Sequence, residues 1–69
     1  MLVLSRKEGE RIFLEVNGVR IVVELAAMMA GKVRIGVTAP RTVTILREEV
    51  YRDQYGSPAV ERFLLDARS

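Results

Sequence analysis

Four cations are the side chains of this sequence best equipped for chemistry. Arg6, Lys7, Arg41 and Arg47 each stand where an apolar or β-branched stretch begins or runs out. A cation so placed lays its alkyl stem along a strand and extends its head to a phosphate. Strand ends also leave backbone N–H and C=O groups free, and these can read the edges of unpaired RNA bases. Catalysis has less to work with. There is no histidine to serve as general base, and no cysteine to serve as nucleophile, metal ligand or disulfide. Glu48 and Glu49 are adjacent, so on a helix they point about 100° apart. At a helix start they instead answer the positive end of the dipole. Gly31-Lys32 lacks the serine or threonine and the leading glycine of a phosphate loop, and Gly9, Gly18 and Gly36 lack dinucleotide-motif spacing. No catalytic residue, metal site or cofactor is expected, and a binding module is the better reading.

The elements that must position these cations follow from hydrophobic periodicity. Met1 to Lys7 opens with the apolar tetrad MLVL and reads as a first strand, ended by a bend at Gly9. Arg11 to Val16 alternates, with Ile12, Leu14 and Val16 on one side and Arg11, Phe13 and Glu15 on the other. Asn17-Gly18 is a hairpin signal, because both residues tolerate positive φ. Val19, Ile21, Val23 and Leu25 continue the apolar side in the next strand, with Arg20 and Glu24 outside. The segment AAMMAGK, residues 26–32, fits either a helical turn or a wide loop closed by Gly31. Val33, Ile35 and Val37 alternate into a fourth strand that Ala39-Pro40 stops. Thr42 to Leu46 reads as a fifth strand. The period then changes to helical, with a short helix over about 47–55, a stop at Gly56, and a second helix over about 58–67. Ser57 is its expected N-cap and Pro58 its first helical residue. Val60, Phe63, Leu64 and Ala67 form its apolar stripe.

Size and charge add two constraints. The chain has 69 residues, of which 49% are hydrophobic. A domain this small buries only a modest core, and without disulfides or zinc it closes that core most simply with a second copy of itself. An obligate homodimer is expected. Residues 1–47 hold eight basic and four acidic groups, and residues 48–69 hold three and five. The sheet-like part is therefore the basic part, which suits nucleic acid or an acidic protein. No apolar run is long enough for a membrane span, and the charged residues 6–8 break any signal-peptide pattern, so a cytoplasmic protein is the default expectation.

Two blocks resemble a known family. LVLSRKEGE at residues 2–10 looks like the opening LxLxRxxGE of the carbon storage regulator family (CsrA/RsmA). VRIGVTAPRTVTILREEVY at residues 33–51 looks like that family's second signature, VRIGxxAPxxVxxxREExY. The resemblance implies a mainly β fold with C-terminal helices. In it, five-stranded chains interlock into a homodimeric barrel or sandwich, the first strand of one chain lying beside strands of its mate. It implies a regulator that binds GGA motifs in mRNA leaders, repressing translation or altering transcript stability. Its implied partners are such mRNAs, sequestering small RNAs with many GGA copies, and a FliW-like protein antagonist.

The same resemblance implies the binding residues. Leu4, Ser5, Arg6 and Lys7 match the first-strand contacts, while Thr38, Ala39, Pro40 and Arg41 match the loop that meets the bases. Val43 and Ile45 match positions lining the pocket, and Arg34 is a further cation on the signature. Arg47 matches the family's key arginine, whose fork of donors grips phosphate or guanine acceptors bidentately. Residues 1–56 are then the RNA-binding domain and 57–69 a helical tail that covers the core or docks a protein. The chain departs from the pattern in longer turns around Asn17-Gly18 and within AAMMAGK. It also has Leu46 where many members have histidine, and Glu8 where an apolar residue is common. The rival reading is a protein–protein adaptor with little RNA affinity, using Met28-Met29 or the Phe63 stripe as its contact.

Overall fold

The computed structural model describes residues 1–67; the last two positions of the expected tail, 68–69, lie outside the described residues. Three antiparallel strands form one sheet in the order β1-β2-β3, with β1 at Arg11–Val16, β2 at Val19–Met29 and β3 at Lys32–Thr38. Two helices follow, α1 at Glu48–Tyr55 and α2 at Ser57–Asp66. No helix among the described residues is long and apolar enough to cross a membrane.

The hairpin forms as its sequence predicts. Asn17 at φ 49° and Gly18 at φ 80° make the two-residue turn, and Val16 pairs with Val19 beside it. This register sets Ile12 opposite Val23 and Leu14 opposite Ile21, so one face is apolar throughout. The segment 26–32 is a correction, since it is neither helical turn nor wide loop. β2 runs on to Met29, and Ala30-Gly31, with Gly31 at φ 76°, turns directly into β3. A bulge between Leu25 and Ala27 makes this possible. Strict alternation from Leu25 would send Met28 to the polar side. The extra residue instead sets Met28 opposite Val33 on the apolar face, in line with Leu25 opposite Ile35, and turns Met29 outward opposite Lys32.

Of the five expected strands, the segments 1–7 and 42–46 carry no ladder. A strand needs a partner edge to satisfy its backbone, and although the outer edges of β1 and β3 are open, neither segment pairs with them within the single chain. Residues 40–43 form a turn closed by the Val43 N–H donating to the Pro40 carbonyl at 3.0 Å.

The helices pack on each other and, among the described residues, not on the sheet. The stripe on α2 does not cover the sheet core. Part of it closes on α1 instead, where Tyr51 meets Phe63 edge-on at 5.3 Å; Val60 is the single buried hydrophobic side chain among the described residues, and Phe63 and Leu64 stay more than half exposed. Gly56, at φ 92°, makes the corner and donates to the Arg52 carbonyl at 2.7 Å. It is also the N-cap of α2, so Ser57 is the first helical residue and Pro58 the second, and no side chain caps this helix.

The apolar sheet face is left open. Ile35 is 63% exposed and Val16 59%, with Leu14, Met28, Val33 and Val37 also exposed. A continuous patch of this kind is an interface waiting for a partner. If a second copy covers it, folding depends on protein concentration, and the expected outcome is a melting midpoint that rises as the chain is concentrated. Calorimetry at two well-separated concentrations checks this, and an unchanged midpoint would count against it. Gly56→Ala should cost about 1 kcal/mol of stability by denaturant titration, because a side chain is strained at this positive φ.

Candidate nucleic-acid interface

The first basic segment is shaped by two carboxylates, Glu8 and Glu10. Lys7 to Glu10 is a turn, with the Glu10 N–H donating to the Lys7 carbonyl at 3.0 Å. The Glu10 carboxylate accepts the Lys7 N–H at 2.7 Å and pairs with Arg6 Nη2 at 3.4 Å. The Arg6 guanidinium also donates to the Ser5 carbonyl at 3.0 Å and the Arg11 carbonyl at 3.3 Å. Beyond the bend, Gly9 and Glu10 exchange backbone bonds with Leu25, extending the β1–β2 pairing by one step. Past Leu25 the edge of β2 has no strand beside it. There the Glu8 carboxylate accepts the Met28 N–H at 2.8 Å, standing in for a missing strand. Glu8, which stands where an apolar residue is common in the family, is therefore a backbone anchor. The sequence signal was available: two carboxylates bracket the turn glycine beside Arg6-Lys7. Leu4, Ser5 and Arg6 line one depression with Ile12, Val23 and Ile35, so this segment lies along the apolar face of its own sheet.

The second basic segment leaves β3 at Thr38. Ala39 and Pro40 end the strand, and Arg41 follows inside the 40–43 turn, with Val43 half-buried and Ile45 50% exposed. Arg47 is the N-cap residue of α1. Its carbonyl accepts the Tyr51 N–H at 2.9 Å, while its guanidinium, 82% exposed, reaches Glu49 at 3.3 Å. Glu48 in turn pairs with Arg52 at 3.5 Å. The two glutamates thus serve the helix start and its surface pairs, each weak at this exposure. Leu46 lines the groove between the helices with Tyr51 and Val60, a packing role in place of a polar one. Arg34 lies on the opposite face of the sheet from Ile35, across from Ala27. Among the described residues, Arg34 and Arg41 have no ion pair and are free to meet an anion.

The structure does not join the two segments within one chain. Among the described residues no hydrogen bond or ion pair links 4–7 to 38–47. Each segment is a basic strip, one along the sheet face and one running from β3 to the start of α1.

The chain is a small all-antiparallel sheet with an exposed apolar face, basic flanking segments and a terminal helix pair. The family model for CsrA, a global regulator protein family, matches residues 1–54, and the chain belongs to this family. It is similar to the translational regulator CsrA of Thermosipho melanesiensis, at 45% identity over 53 residues, 77% of this chain and 67% of that protein. The translational regulator CsrA of Clostridium kluyveri is 43% identical over 53 residues, 77% of this chain and 68% of that protein. That of Treponema pallidum is 42% identical over the same share of this chain and 68% of its own length. No solved structure matches the chain significantly.

Glu10→Ala should speed hydrogen exchange at the Lys7 amide and lower stability by about 1 kcal/mol, since the carboxylate holds that N–H. Exchange followed by NMR checks this, and an unchanged Lys7 rate would show that the turn holds without it.

Proposed function

We propose that this protein is a homodimeric translational regulator that binds GGA motifs in mRNA leaders, repressing translation or altering message stability. The observation that carries the proposal is the family match over residues 1–54, which takes in both basic segments and both signature blocks. The open apolar face supports the dimer, because a second copy offers the matching surface. In such a dimer the first segment of one chain, Leu4 to Lys7, is completed by residues 38–47 of its mate. Thr38, Ala39 and Pro40 would meet the bases with backbone groups, Val43 and Ile45 would line the pocket, and Arg34 and Arg41 would supply field and phosphate contacts. Arg47 is the principal reader, through bidentate donation to phosphate or guanine. Residues 1–56 would suffice for RNA binding, which accords with a match ending at residue 54. The tail would then be the place for a protein antagonist, with small RNAs of many GGA copies competing at the RNA sites.

Filter binding with a GGA-loop hairpin tests this reading. Tight binding with two sites per dimer is expected, weakening steeply as salt rises. Indifference to a GGA→CCA change in the loop would favour the adaptor reading. Arg47→Ala is expected to cost about 1–3 kcal/mol of binding with folding intact, because its head is exposed and among the described residues holds Glu49 alone. Equal affinity of the variant and the parent chain would remove Arg47 from the site.

A further inference from the structure

The outer face of the sheet, opposite the apolar one, carries Arg11, Phe13 and Glu15 from β1, Arg20, Val22, Glu24, Ala27 and Met29 from β2, and Lys32, Arg34, Gly36 and Thr38 from β3. Covering the apolar face with a second copy leaves this face in solvent. Both of its carboxylates are engaged across the hairpin, Glu24 with Arg11 at 2.8 Å and Glu15 with Arg20 at 3.1 Å. Lys32 and Arg34 have no ion pair among the described residues, so the face keeps a surplus of positive charge. On the edge strand β1 this face carries Phe13, 78% exposed, although burial is the usual place for such a ring.

Phe13 borders a shallow depression lined by Arg11, Val22, Glu24, Gly36 and Thr38. The register explains its shape. Phe13, Val22 and Thr38 stand in one cross-strand row, and Arg11, Glu24 and Gly36 in the next. Phe13 and Thr38 are therefore two strand spacings apart, about 10 Å. Gly36 leaves open space above the floor, since a Cβ added there would meet nothing within 4 Å. Thr38 ends the depression and begins the run to Arg41 that the proposed RNA site uses.

We propose that this depression is an accessory site for an unpaired base of the same RNA, held over Gly36 and Val22 and stacked on Phe13, with Arg34 and Lys32 drawing its backbone. The inference rests on the RNA-binding reading above and extends it from the loop to the single-stranded flank. An exposed aromatic ring on a positively charged sheet is suited to stacking a base without regard to its identity.

The experiment compares a GGA-loop hairpin with the same hairpin carrying an unpaired oligoadenylate extension, using the full chain. The extended RNA should bind about tenfold more tightly, and Phe13→Leu and Gly36→Val should each remove that gain while leaving the bare hairpin unaffected. Phe13→Tyr should keep it. Both disruptive changes sit on exposed or open strand positions, and unchanged circular dichroism and sedimentation confirm an intact dimer. Equal affinity for the two RNAs, or variants that retain the gain, would overturn the proposal. A further arm is independent of the hairpin: oligoadenylate alone should shift the Phe13 ring resonances, and unmoved resonances count against the site even if GGA recognition holds. Self-association through this face, seen as a mass above the dimer that Phe13→Leu abolishes, would assign the ring to protein contact and overturn the base-stacking role.

Discussion

The apolar side of the sheet is the surface on which everything else in this molecule depends. Ile12, Leu14, Ile21, Val23, Leu25, Ile35 and Val37 are aligned there by the hairpin register, and within one chain Leu14, Ile35 and Val37 stay exposed while the other four are only half-buried. The helices, which in a self-sufficient domain would close such a face, pack on each other instead. Among the described residues only Val60 is buried of the hydrophobic side chains. A chain of this size cannot offset its conformational entropy with so little burial. The stability it lacks has to come from association, and the same association would decide which basic segments meet.

Charge is distributed to serve that arrangement. The carboxylates of the sheet region are occupied: Glu8 and Glu10 fasten the turn after the first segment, and Glu15 and Glu24 face arginines across the hairpin. None of these pairs contributes much at its exposure. Their effect is to absorb negative charge, leaving Arg34 and Arg41 without a protein partner among the described residues. The Arg47 guanidinium, paired among the described residues with Glu49 alone, can exchange that weak partner for a stronger anion.

Much of the architecture was legible in the sequence because it rests on local rules. Asn17-Gly18 specified the turn and hence the register, Pro40 stopped β3, and Gly56 separated the two helices. The bulge at Ala26 was not legible. Alanines and methionines carry no clear period, and the choice between helix and strand was made by the pairing of Met28 and Met29 with Val33 and Lys32. Ser57 misled as a cap because Gly56, already needed at positive φ, serves both helices. The candidate site was legible as residue types and signature blocks, while the anchoring roles of Glu8 and Glu10 emerged only from hydrogen bonds made across the turn and to β2.

By itself the sequence determined the strand alternation, the turns, the helix pair and the cations at segment ends, since each follows from neighbours a few residues apart. Tertiary structure decided which side of β2 Met28 occupies, that the α2 stripe closes on α1, and that Phe13 and Gly36 border one depression on the outer face. Those outcomes depend on which strand or helix lies beside which, and a residue's distant neighbours are set by pairing and packing, not by its own propensity.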